Sequence, residues 1–288
     1  MKTKLALIIA ATLASGSVLA NNDATAKLSG SSYNDVVIEQ TSMFQGNDAE
    51  INAVLSSGNQ GGVEGFYIYQ NGADNDANIY AFSVEDSKLS IDQSGYSNEA
   101  GIVALNATDA TFTIKQNSGA NNIASIKTEN SFAQGYSYDH DTVNISQSGS
   151  DNSTNVLLKG GTDNATVNLS ASGLNNSAKV VLDRANANTT VTGNVFGADN
   201  KADILIQNSD TNNVAFNQFG AGNDVDVDIL ASSDGNQVTV GQYGYGSEAN
   251  VYVNWSSQNV INVTQTSGDN ANVVLHGSNH NNITVSQY

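Results

Sequence analysis

Residues 87–104 read S-K-L-S-I-D-Q-S-G-Y-S-N-E-A-G-I-V-A, from Ser87 to Ala104. Numbered 1 to 18, the stretch holds Leu89 and Ile91 at positions 3 and 5, Gln93 at 7, Gly95 at 9 and Asn98 at 12. Ala100, Ile102 and Ala104 follow at 14, 16 and 18. Apolar residues at every second position mark a β-strand, whose successive side chains point to opposite faces. Positions 1, 3, 5 and 7 therefore share one face of a first strand, and 12, 14, 16 and 18 one face of a second. The residues between 7 and 12 make the bend, where glycine supplies backbone angles closed to other residues.

The same layout runs through the chain. Position 7 is held by Gln40, Gln70, Gln93, Gln116, Gln147, Gln218, Gln242, Gln265 and Gln287, with Ala171 and Val195 filling two intervening repeats. Position 12 is held by Asn47, Asn75, Asn98, Asn122, Asn152, Asn176, Asn200, Asn223 and Asn270, with Ser247 as the exception. Ten full repeats and a final half, from Asn281 to Tyr288, result. One strand–turn–strand unit cannot bury its own apolar face; stacking copies buries it. The expectation is an all-β chain, a β-solenoid of stacked repeats over residues 34–288. Longer loops over Ser56–Gly65 and Asn130–Asp141 project from its edge. At the roughly 4.8 Å strand spacing, Gln and Asn then stack as amide ladders, the arrangement that stabilises cross-β fibres.

Composition agrees. The 288 residues contain no proline, where average usage gives about fourteen, and proline is excluded from centrally paired strands. No cysteine is present, so neither a disulfide framework nor thiolate chemistry is available. Lys2 and Lys4, the apolar run Leu5–Ala14 and the small-residue site Val18-Leu19-Ala20 make residues 1–20 a secretory signal peptide, outside the fold and cleaved after Ala20. Residues 21–33 are a short N-terminal segment. Without Lys2 and Lys4 the 10 basic residues become 8, against 28 acidic ones, a net charge of −20. Such a chain repels nucleic acid and anionic membranes.

The layout resembles the curlin repeat of the curli fibre subunits, S-x5-Q-x-G-x2-N-x-A-x3-Q. Ser87, Gln93, Gly95, Asn98 and Ala100 fit it in order, as do Gln218, Gly220 and Asn223 behind Asn212. The terminal Gln287-Tyr288 is similar to the end of the major subunit rather than the nucleator. The resemblance implies a secreted, self-assembling functional amyloid at the surface of a Gram-negative-type cell, supporting adhesion and biofilm matrix. Its partners would be copies of itself, a nucleator, the curli secretion and assembly proteins, and host or abiotic surfaces. Two departures stand out. The family's second Gln, at position 18, is replaced by Ala81, Ala104, Leu182, Ile206, Ile229 and Val253, and the glycine-rich targeting segment is reduced to Asn21–Tyr33. A nucleator and a monomeric solenoid adhesin or ice-binding protein are the alternatives; the outward threonines Thr111, Thr113, Thr142, Thr166, Thr190 and Thr192 bear on the latter.

The last repeat-like strand, Asn282–Gln287, carries no cap, so the expectation is head-to-tail pairing of first and last repeats into a filament. Position 17 should face solvent, yet it holds Tyr80, Val103, Leu157, Val181, Leu205, Tyr252 and Leu275. Either this is a stripe for lateral fibre contact or adhesion, or the corner tucks it in. Asp224, Asp226 and Asp228 fall at outward positions 13, 15 and 17 and read as gatekeepers against sideways strand pairing. No catalytic, cofactor or metal residue is assigned. His140, His276 and His280 are the only histidines, and the last two lack a third ligand.

Overall fold

The computed structural model describes residues 6–13, 21–27, 29, 35–42, 45–53, 55–57, 65–85, 88–105, 110–129, 142–159, 165–183, 188–208 and 210–288. The loop over 130–141, His140 and the cleavage site lie outside the described residues, as does most of the loop over 56–65. Along the chain the strands are β1 (Ala6–Leu13), β2 (Asp23–Ala26), β3 (Asp35–Ser42), β4 (Asp48–Ile51), β5 (Leu55–Ser57), β6 (Phe66–Ala73), β7 (Asp76–Ala77) and β8 (Ser83–Glu85). There follow β9 (Leu89–Tyr96), β10 (Glu99–Ala100), β11 (Phe112–Ala120), β12 (Ile123–Ser125), β13 (Thr142–Ser150), β14 (Ser153–Asn155), β15 (Thr166–Leu174) and β16 (Ser177–Lys179). The last are β17 (Thr190–Ala198), β18 (Lys201–Asp203), β19 (Asn213–Ala221), β20 (Asp224–Asp226), β21 (Gln237–Tyr245), β22 (Glu248–Asn254), β23 (Val260–Gln265), β24 (Asn270–His276) and β25 (Asn282–Gln287).

These strands form the expected β-solenoid. A 12-stranded sheet stacks β1-β3-β6-β9-β11-β13-β15-β17-β19-β21-β23-β25, and an 11-stranded sheet stacks β2-β4-β7-β10-β12-β14-β16-β18-β20-β22-β24. Every pairing is parallel, and position 7 stays opposite position 7 throughout, from Gln40↔Gln70 to Gln265↔Gln287. Between β3–β4 and β23–β24 the two sheets advance together through ten coils; β25 adds a first strand without a second. β5 and β8 form a small third sheet. Among the described residues there is no helix.

The interior lies between the two large sheets. Positions 3 and 5 of the first sheet, such as Phe112 and Ile114, face positions 14 and 16 of the second, such as Ala124 and Ile126, and all are buried. Small and large residues compensate between coils: a Cβ on Gly193 would lie 2.0 Å from the Phe216 ring, which is fully buried beneath it. At the second corner Leu182, Ile206 and Ile229, all position 18, take a left-handed backbone with φ of 66° and bury their side chains completely. That conformation is strained for a β-branched residue. It is held by bonds such as Ile206 N–H to Asp228 O, 2.8 Å.

Within the expected signal peptide, residues 1–20, Ala6–Leu13 is a described strand. This segment is β1, paired with β3 over eight residues from Ala6↔Asp35 to Leu13↔Ser42. The aliphatic run satisfies backbone groups that an edge strand otherwise leaves open.

Candidate functional site: amide ladders and sheet ends

The glutamine ladder is a chain of hydrogen bonds. Each Gln Nε2 donates to the Oε1 of the following coil: Gln40 to Gln70 at 2.8 Å, Gln70 to Gln93 at 2.9 Å, Gln93 to Gln116 at 2.8 Å and Gln116 to Gln147 at 2.8 Å. The same Nε2 reaches two backbone carbonyls. For Gln93 these are Asn98 O (2.9 Å), in its own coil, and Asp76 O (2.8 Å), in the preceding one. Position 7 thereby ties both sheets together at the first corner. Ala171 and Val195 interrupt the series. Gln147 Nε2 turns instead to Thr154 Oγ1, 3.0 Å, and the ladder resumes from Gln218 through Gln242 and Gln265 to Gln287. Gln218 Oε1, where it restarts, is buried without a donor.

The asparagine ladder runs with the opposite polarity. At position 12 both the backbone N–H and the Nδ2 donate backwards to the preceding Oδ1. Asn98 makes these bonds to Asn75 at 3.2 and 3.1 Å, and Asn176 to Asn152 at 3.2 and 3.0 Å. Asn47 through Asn223 all belong, and Ser247 N–H accepts the place of the next member by donating to Asn223 Oδ1, 3.1 Å. Asn22, before the repeats counted in the sequence, starts the series: its Oδ1 receives Asn47 N–H at 3.0 Å.

Two sequence assignments are corrected in the tenth coil. Gln265 Nε2 donates to Asp269 O, 2.9 Å, and Glu248 pairs with Asn270, so Asp269 holds position 12 and Asn270 lies at outward position 13. Asn270 bonds Glu248 Oε2 (3.0 Å) instead of joining the ladder. The bend here is one residue shorter, and the apolar face sets the register: Ala271, Val273 and Leu275 point inward. Leu275 is accordingly a core residue, 7% exposed, and the outward neighbour is Val274, 61% exposed. Of the remaining position-17 residues, Tyr80 is exposed, whereas Val103, Leu157, Val181, Leu205 and Tyr252 are half-buried where the chain enters the second corner.

Two further ladders were not anticipated. Asn212, Asn236, Asn259 and Asn281, at position 1, repeat the backward bonding at the second corner, for example Asn259 N–H and Nδ2 to Asn236 Oδ1 at 3.1 and 3.0 Å. Their recurrence one repeat apart was the available signal. On the outer face of the first sheet Phe196, Phe219 and Tyr243, all position 8, form a column that remains exposed: Phe219 and Tyr243 stack with ring centroids 5.7 Å apart, and Phe196 packs on Phe219 at 6.1 Å with the rings tilted by 41°.

The outward acidic columns repel one another. Asp226 is pushed up to about 6, first by partial burial and then by Asp228 and Asp203, with Lys201 opposing. Asp76 is raised likewise by burial, then by Asp48 and Glu99. Among the described residues no group of three or more His, Cys, Asp or Glu side chains is placed to hold a metal ion. No protein-family model matches the chain, and no curated protein matches it.

Proposed function

We propose that the chain is a secreted structural subunit that assembles head to tail into curli-type amyloid fibres at the cell surface, serving adhesion and biofilm matrix. The supporting observation is that repeat geometry continues undiminished to the last strand. β25 pairs with β23 over all six residues, Gln287 accepts from Gln265, and the far edge of β25 has no partner among the described residues. An open parallel edge with in-register side-chain ladders is a template for another copy. A heterologous contact between opposite ends does not close and therefore propagates. The ten coils give a rod on the order of 50 Å tall per subunit.

The test is refolding of residues 21–288. The expected products are dye-binding, SDS-resistant fibres with a meridional spacing of about 4.8 Å. A particle that stays monomeric by light scattering for days would overturn the reading and favour a solenoid adhesin. Failure to polymerise alone, combined with seeding of a partner subunit, would point to a nucleator.

A further inference from the structure

The two ends of the solenoid are unequal in a way that makes them fit. At one end the first sheet runs one strand past the second: β25 lies beyond β24. At the other end, β2 precedes β3 in the chain, and β1 is the first-sheet strand level with it. Cleavage after Ala20 removes β1 and leaves β2 as a second strand without a first. β25 and β2 are then the two halves of one coil. Their inward residues, Ile283 and Val285 on β25 and Ala24 and Ala26 on β2, are only partly buried against the core.

The polar atoms agree with the strands. Asn22, first of its ladder, has a buried Nδ2 with no acceptor, and Asp269, at the same corner position of the last coil, has a buried Oδ2 with no donor. Gln40, first of the glutamine ladder, has a buried Oε1 with no donor. Gln287, the last, donates from Nε2 to Asn270 O at 3.1 Å, the preceding-coil bond every ladder glutamine makes. The remaining two acceptors of a ladder glutamine are its own-coil corner carbonyl and the next Oε1; across a joint these are Asn22 O and Gln40 Oε1 of another molecule. Gln218 Oε1 and Asn212 Nδ2, each at the start of an interior ladder, are orphaned in the same way, so such atoms mark where a preceding rung belongs.

Resting on the fibre reading, we propose that subunits join by completing one shared coil. β25 of one molecule pairs in parallel with β3 of the next, Gln287 opposite Gln40. β24 receives the next molecule's β2, Asn22 against Asp269. In the precursor β1 fills the place of the neighbour's β25, setting Ala11 opposite Gln40, a side chain with no amide to donate. The leader is thus a removable plug at one end only.

The absence of cysteine permits a direct test. Glu39 and Ser286 are both position 6, on the outer face. They lie about ten layers, or roughly 48 Å, apart within one molecule, but about 4.8 Å apart across the proposed joint, within disulfide reach. Fibres of mature E39C/S286C, oxidised and then dissolved in denaturant, should run as a ladder of covalent multimers. E39C/T284C, two residues out of register, should give at least tenfold less. Fibres that form normally but cross-link equally in both variants, or in neither, overturn the joint while leaving the fibre reading intact; a mature chain that makes no fibres sinks the fibre reading itself. For the plug, unprocessed chain carrying S286C should cross-link to mature E39C fibres, whereas unprocessed chain carrying E39C should not cross-link to mature S286C fibres. Equal capture of both precursors overturns the leader's role.

Discussion

The interrupted glutamine ladder can be repaired, and the repair measures what one rung contributes. Gln218 Oε1 is buried and unpaired because Val195 precedes it in register. Val195→Gln would place an Nε2 against that oxygen and against the carbonyls of Asn200 and Ser177, the positions used by every other ladder glutamine. Its own Oε1 would then be orphaned, because Ala171 lies in the preceding coil. One unpaired acceptor replaces another, so the single change should move stability by less than about 1 kcal/mol. Ala171→Gln alone accepts from Gln147 but donates to no following rung, and should be similarly neutral. Together they close an unbroken series from Gln40 to Gln287 in which every Oε1 beyond that of Gln40 is satisfied. The coupling should be about 1–3 kcal/mol in favour of the double variant, the desolvation cost of one buried acceptor. The site has room, since Ala178 and Ala202 face these positions as Ala100 faces Gln93. Urea unfolding of the wild type, both singles and the double, kept too dilute for fibres to form, gives the cycle. A coupling of zero or of opposite sign would refute the reasoning and mean that overpacking outweighs the amide ladder.

The bends separate crowding from conformation. A Cβ on Gly220 (φ 121°) would lie 1.8 Å from the Gly244 carbonyl oxygen, whereas Gly246 (φ 67°) has nothing within 4 Å. Gly220→Ala should destabilise by more than about 4 kcal/mol and Gly246→Ala by about 1–2 kcal/mol, read by thermal unfolding. Asp226 has a folded pKa raised above its unfolded value, so its ionised form burdens the fold above about pH 6 and its protonated form does not. Stability should rise as pH falls from 7 to 4, by about 1 kcal/mol from this group once solvent screening is allowed for, and Asp226→Asn should flatten that part of the profile. For lateral contact, Phe219→Ser with Tyr243→Ser should reduce fibre bundling in electron micrographs and leave single filaments. Leu157→Asp with Leu205→Asp should instead lower folding stability, because those side chains are half-buried at the corner.

The fold was legible because period-2 alternation and a fixed Gln-to-Asn frame agree along the whole chain: Gln93, Asn98 and Ala100 already contain the coil. What the frame could not carry was the length of each bend. Counting five residues on from Gln265 lands on Asn270, yet every position-12 residue stands two before an inward position-14 residue, and that rule selects Asp269 before Ala271. Leu275 was misplaced by the same one-residue slip. Apolar burial over Ala271, Val273 and Leu275 outweighs one amide rung, so the core fixes register and the ladder follows. The column of Phe196, Phe219 and Tyr243 was hidden for another reason. Position 8 is polar in most coils, and apart from the terminal Tyr288 only three consecutive coils place aromatic rings there, too few to register as a repeat.

The opposed polarity of the ladders also bears on the proposed head-to-tail assembly. Glutamine donors point towards the C-terminal end and asparagine donors towards the N-terminal end. Each end of the processed solenoid therefore offers one donor and one acceptor: Asn22 Nδ2 and Gln40 Oε1 at the first coil, Gln287 Nε2 and Asp269 Oδ2 at the last. Two like ends brought together place acceptor on acceptor and donor on donor, and would also demand antiparallel pairing from sheets that are parallel throughout. Only unlike ends continue both ladders and complete the shared coil. Because unsatisfied buried polar groups each cost about 1–3 kcal/mol, the ends discriminate against every joint but the head-to-tail one. On the proposed head-to-tail assembly, the polarity of the filament would follow from two side-chain ladders at one corner, independently of any surface on the flanks of the rod.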